Sequence, residues 1–177
     1  MSVPFVPKLG ENLIGQYQYD SAGRRSKLTR GNGVTTEFSY DNASRLTQIA
    51  NRKPDGTVLS SFGYTFDQTG KITEMVFANG DRATHSYDSK DQLTGELRRG
   101  SLNYDIGFTY DPVGNRLKQV RSGDLRDPLE ITYSYNPGDE LLRETNRQET
   151  TLYGCDPNGN TTSKTVYRTA EFGGHNT

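Results

Sequence analysis

The chain has 177 residues, room for one domain or one array of repeats, and combines only 31% hydrophobic residues with a formal charge of −1. Eleven Tyr and 19 Gly supply large rings separated by frequent turns, the composition of a turn-rich β protein with a thin core. No apolar run approaches the ~18 residues of a membrane span. The single Cys155 excludes an intrachain disulfide framework, and scattered Lys and Arg leave no electrostatic footprint for nucleic acid. The opening segment has no basic stretch leading into an apolar one, so no signal peptide is visible in it. His85 and His175 are far apart and no Cys clusters with either, so neither a metal site nor a cofactor is expected.

Residues 1–16 read as an N-terminal flank, and a pattern then repeats seven times across 17–167. Its first three copies are Tyr17-x-Tyr19-Asp20-x-x-Gly23, Phe38-x-Tyr40-Asp41-x-x-Ser44 and Tyr64-x-Phe66-Asp67-x-x-Gly70. His85-x-Tyr87-Asp88-x-x-Asp91 follows, then Phe108-x-Tyr110-Asp111-x-x-Gly114. The last two are Tyr133-x-Tyr135-Asn136-x-x-Asp139 and Tyr153-x-Cys155-Asp156-x-x-Gly159. Successive second-ring positions are 20 to 26 residues apart. Residues 168–177 read as a C-terminal tail, expected to be flexible.

Ring-x-ring has the period of a strand and puts both rings on one face. The Asp or Asn that follows suits the first position of a turn, because its side chain can accept the N–H two residues on. Pro112, Pro137 and Pro157 preset φ for a type I turn, and the later Gly tolerates positive φ. A second alternating stretch comes next, as in Arg45–Ile49, Lys71–Met75 or Asn115–Leu117. Gly31–Gly33, Asp55-Gly56 and Ser122–Asp124 are expected to turn the chain into the next copy, with Asn79-Gly80 the clearest, as a dipeptide that favours type I′ hairpins. The expected fold is all-β: about fourteen strands of repeated β-hairpins in a meandering antiparallel sheet, a curved open sheet or a partial shell or barrel. Exposed edges of such a sheet invite pairing, including a homo-oligomer.

The Tyr-x-Tyr-Asp-x-x-Gly unit, with a basic residue and Leu or Ile soon after Gly, resembles the YD repeat of bacterial Rhs proteins, insecticidal toxin-complex subunits and teneurins. Gly23-Arg24, Arg45-Leu46, Gly70-Lys71-Ile72 and Gly114–Leu117 carry the resemblance best. It implies successive hairpins coiled into a hollow shell, which in larger relatives encloses a toxic polypeptide or serves cell adhesion. It also implies an extracellular or cell-surface location. Asp156-Pro157-Asn158-Gly159-Asn160 lacks the Leu of the Asp-Pro-x-Gly-Leu element linked to self-cleavage in Rhs proteins, and only 17 residues follow it, so neither self-cleavage nor a toxin domain is expected.

The expected function is therefore non-enzymatic: a scaffold or binding module contacting a protein partner or a cell-surface glycan, without nucleic acid or membrane insertion. Tyr17, Tyr19, Tyr40, Tyr64, Tyr87, Tyr110, Tyr133 and Tyr135 are the candidate ligand-binding rings, because an apolar face with a polar tip suits a sugar, although their first use is as core. The alternative is a carbohydrate-active lyase or hydrolase using His85 and Tyr87 with Arg82, since His85 stands where the other copies carry Tyr or Phe. A truncated Rhs-like fragment without independent function is a third expectation. The recurring Asp residues read as turn formers rather than catalytic carboxylates, and Asp156–Asn160 departs from a calcium loop in the position of its Gly. Cys155 reads as a small buried thiol.

Overall fold

In a computed structural model, which describes Lys8, Leu9, 12–124 and 129–168, the protein is all β, and the described residues contain no helix. The tail beyond Arg168 lies outside them, as does His175. A short ribbon pairs β1 (Lys8–Leu9) with β2 (Asn12–Leu13). Then come β3 (Gly15–Tyr19), β4 (Arg25–Arg30), β5 (Thr35–Tyr40), β6 (Leu46–Arg52), β7 (Val58–Phe66), β8 (Ile72–Phe77) and β9 (Arg82–Tyr87). They continue as β10 (Leu93–Arg99), β11 (Tyr104–Tyr110), β12 (Arg116–Gly123), β13 (Leu129–Tyr135), β14 (Leu141–Thr145), β15 (Glu149–Cys155) and β16 (Thr161–Arg168). From β3 to β16 each strand is hydrogen-bonded to its neighbours in chain order, a fourteen-stranded meander. This is the antiparallel hairpin array that the repeat implies.

By contacts the chain forms two units, Met1–Thr84 with Arg99–Ser101, and His85–Arg98 with Leu102–Thr177. Copies one to three lie in the first and copies four to seven in the second. One turn builds both. In the first copy Asp20 Oδ1 accepts the N–H of Ala22 and of Arg24, the Gly23 N–H returns to the Asp20 carbonyl, and the Asp20 N–H reaches the Arg24 carbonyl. The same carboxylate-to-N–H pair recurs at Asp41, Asp67, Asp88, Asp111 and Asp156, and the Asn136 carbonyl oxygen does likewise. Three residues past the Asp or Asn, φ is positive in all seven copies, including the non-glycine Ser44, Asp91 and Asp139. This is a type I turn closed by a left-handed residue. Beside it the register slips between Gln18 and Tyr19, and again between Ser39 and Tyr40, Thr65 and Phe66, Thr109 and Tyr110, Ser134 and Tyr135, and Gly154 and Cys155. Such bulges sharpen the local twist where the second ring emerges.

Three expectations need correction. Asn79-Gly80 is not a type I′ turn: only Gly80 has positive φ, and Asn79 uses Oδ1 to accept the Asp81 N–H. Type I′ needs positive φ at both central residues; here the Phe77 N–H bonds to the Asp81 carbonyl, one residue beyond a two-residue loop. Ser122 and Gly123 belong to β12, where they pair with Asp105 and Tyr104, rather than to a turn. A Cβ at Gly123 would run into the Asn103 carbonyl, which is why glycine stands there. Finally, the rings are not a closed core. No large side chain is fully buried among the described residues, and the buried hydrophobics are Ala50 and Ala83. Neighbours in the same sheet cover the flank of a ring but not its outer face. In the first unit, buried polar groups do part of the work: Thr36 donates to Asn51 Oδ1 at 2.7 Å, and Asn51 donates to Ser60 at 2.9 Å.

Candidate interaction surface

The residue four positions past the turn Asp organises the first unit. Arg24 turns its Nε back to Asp20 at 2.7 Å and extends Nη1 to the Asp41 carbonyl of the next copy at 3.1 Å. Its guanidinium lies 4.7 Å from the centre of the Tyr40 ring. Arg45 repeats this arrangement on Asp41, the Asp67 carbonyl and the Phe66 ring, at 2.7, 2.9 and 4.9 Å. One side chain thus ties two turns and covers a ring, through ionic, hydrogen-bond and cation–π attraction. In the second unit Asn115 makes a shorter version, donating to Asp111 at 3.0 Å and to Asp139 of the next turn at 2.7 Å. Arg116 lies between two rings, 5.1 Å from Phe108 and 5.6 Å from Tyr133.

The second rings complete the joint. The hydroxyls of Tyr40, Tyr110 and Tyr135 donate to the carbonyls of Arg25, Leu93 and Arg116 in the preceding copies, at 2.9, 2.8 and 3.0 Å. Burial pushes the Tyr135 hydroxyl pKa up. Of the other candidate rings, Tyr17 faces Leu28 and Tyr64 faces Met75 across the ladder, while Tyr87 and Tyr133 are half-buried. Tyr19 is the most open, at 37% exposure.

The three residues of the enzyme alternative have partners that sequence reasoning did not identify. Arg82 pairs with Glu74 at 2.7 Å. His85 Nε2 lies 3.3 Å from Glu96, whose other oxygen accepts the Tyr104 hydroxyl at 2.9 Å. The Arg121 guanidinium lies 4.8 Å from the centre of the Tyr104 ring. Burial, with the Glu96 hydrogen bond adding to it, raises the Tyr104 pKa. A parallel cluster joins Tyr153 to Glu144 at 3.1 Å beneath Lys164, and burial again leads the upward shift of the phenol. Nothing in the spacing announces Glu96 or Tyr104, because register rather than repeat position brings them to His85. Cys155 is half-buried and free. Asp156 spends its carboxylate on its own turn, and the described residues contain no group of three or more His, Cys, Asp or Glu able to hold a metal.

Hairpins at a 20-to-26-residue spacing, joined in the first copies through Asp, an arginine and a ring, define an antiparallel hairpin-repeat protein. Residues 10–96 match the family model described as Teneurin YD-shell. The seven copies are repeats of the YD type, and the matched stretch covers just under half of the chain. Its fold is similar to that of TcdB2-TccC3-Cdc42, with a TM-score of 0.60 and 21% identity over 91% of this chain and 11% of that one. It is similarly related to TcdB2-TccC3 without its hypervariable C-terminal region, with a TM-score of 0.60 and 18% identity over 89% of this chain and 12% of that one. The chain therefore spans about a ninth of the solved structures it resembles. No curated protein matches it in sequence.

Proposed function

We propose that the chain is a non-enzymatic segment of a YD-repeat shell whose ringed sheet face contacts a polypeptide partner. The clasp carries this reading: at the Arg24 and Arg45 joints the turn carboxylate, arginine and second ring are engaged with one another, so this chemistry builds a wall, while first rings such as Tyr17 and Tyr64 stay only half-buried. The Teneurin YD-shell match and the fold shared with TcdB2-TccC3 support the same role, and with it a place outside the cell or at its surface. Affinity would come from many shallow contacts summed over copies.

The test is binding of the purified, monodisperse chain to an immobilised unfolded polypeptide, reduced and alkylated lactalbumin, alongside a broad glycan array. Polypeptide binding that weakens in Tyr17→Ala and Tyr64→Ala, with the β circular dichroism intact, is the expected result. Binding to neither surface overturns the contact role, and reproducible array hits lost in the same variants would replace the polypeptide with a glycan. The His85–Glu96–Tyr104 chain of contacts favours one second reading, a carbohydrate-active enzyme using His85. Glycan cleavage abolished by His85→Ala in a folded protein would establish it.

A further inference from the structure

The arginine of copies one and two gives way to Lys71 in copy three, and in copy four the clasp has no cation at this position. Arg24 and Arg45 each place a guanidinium against a ring, a turn carboxylate and the carbonyl of the following turn. The corresponding residue in copy four is Gln92. Its carboxamide reaches the next turn, where a Cβ on Gly114 would come within 3.1 Å of Nε2, but it brings no charge to the ring. A groove of about 450 Å³ remains, lined by Asp88, Tyr110 and Asp111, the counterparts of the partners the arginines use, with Gln92, Lys90 and Pro112.

Two further observations define what the groove lacks. Asp88 Oδ1 accepts the N–H groups of Lys90 and Gln92, whereas Oδ2 has no partner among the described residues. In copies one and two Oδ2 receives the arginine Nε. Among the described residues no cation lies over the Tyr110 ring either, although its hydroxyl is anchored on the Leu93 carbonyl. The exposed Lys90 sends Nζ to the Pro112 carbonyl at 2.7 Å and so stays at the rim.

We propose that this groove binds a guanidinium group, presented by an arginine side chain of a partner polypeptide. Asp88 supplies the open carboxylate, Tyr110 the ring face and the Asp111 turn its carbonyl, the set that Arg24 and Arg45 satisfy from within the chain. Asp111 itself is occupied by its own turn and Asn115, which leaves Asp88 as the anchor. The Lys90 ammonium opposes a second cation and sets the affinity low, in the range of a single exposed ion pair with a cation–π contact. The site does not depend on the shell reading, since its partners all lie within one unit of the chain.

The test is a ¹⁵N NMR titration of the full chain with acetyl-Gly-Arg-Gly-amide and with the peptide carrying citrulline, which keeps the shape of arginine and removes its charge. Saturable shifts at the Gln92 side-chain amide and the Asp88 and Tyr110 amides are expected with the arginine peptide, and about tenfold weaker binding with citrulline. Gln92→Arg fills the groove from within, and its folded form is expected to lose the response. Lys90→Ala removes the opposing charge and is expected to tighten binding. The proposal is overturned by no saturable response, by equal response to citrulline, by undiminished binding to folded Gln92→Arg, or by Lys90→Ala binding no better than the parent.

Discussion

At the scale of single residues, one backbone requirement recurs in every turn and one carboxylate in six of the seven, Asn136 taking its place in the sixth. Gly23 sits at φ 77°, and a methyl group on its Cα would meet nothing within 4 Å, so the cost of a side chain there is backbone strain alone. Gly23→Ala is expected to destabilise by about 1 kcal/mol in urea unfolding, whereas Gly107→Ala, also in open space but at an ordinary strand φ, is not. The turn carboxylates respond to acid. The Arg24 N–H holds Asp20 below the usual carboxylate range, the Arg45 N–H does so for Asp41, and the Thr69 hydroxyl leads in lowering Asp67 to about 2. A carboxyl whose folded pKa is depressed contributes stability above its unfolded value, and that contribution is lost as pH falls toward the folded one. The unfolding midpoint is therefore expected to drop between about pH 4 and pH 2, and Asp67→Asn should flatten part of that fall.

At the scale of the hairpin, the repeat is a joint between neighbours as much as a local turn. The sequence shows the basic residue after Gly but not its purpose, because the Asp67 carbonyl that Arg45 reaches lies 22 residues away. Arg45→Ala is expected to lower the melting temperature by about 2–4 °C. Arg45→Lys should recover little of it, since an ammonium cannot bond the carboxylate and carbonyl while lying flat on Phe66. Asn79-Gly80 shows the same limit from the other side. The dipeptide was legible as a turn, but its type followed from the Phe77–Asp81 pairing, which a local propensity cannot see.

At the scale of the whole chain, the strand order leaves β3 and β16 with one sheet neighbour each among the described residues. All eight residues of β16 are exposed, Val166 and Tyr167 among them at 45% and 57%. An exposed edge strand of this kind can template pairing with another strand, with Val166 and Tyr167 supplying its apolar surface beside Lys164 and Arg168. Concentration-dependent self-association in analytical ultracentrifugation is therefore expected, and Val166→Lys should reduce it several-fold by placing a charge on the edge. A chain that stays monomeric at high concentration would show the edge to be inert.

The sequence by itself determined the repeat, the strand and turn of each copy, the role of the recurring Asp and the order of the meander. Those features depend on period-two ring spacing and on contacts within a few residues, which the covalent chain sets directly. Tertiary structure decided the rest. It left the rings half-buried, because neighbours in the same sheet cover only their flanks. It brought Glu96 and Tyr104 to His85 through strand register, and it opened the groove at Gln92, which stands where the first three copies carry a cation. Each of these depends on which residue of one hairpin faces which residue of the next, a relation fixed only once the bulges and turns have set the register between strands.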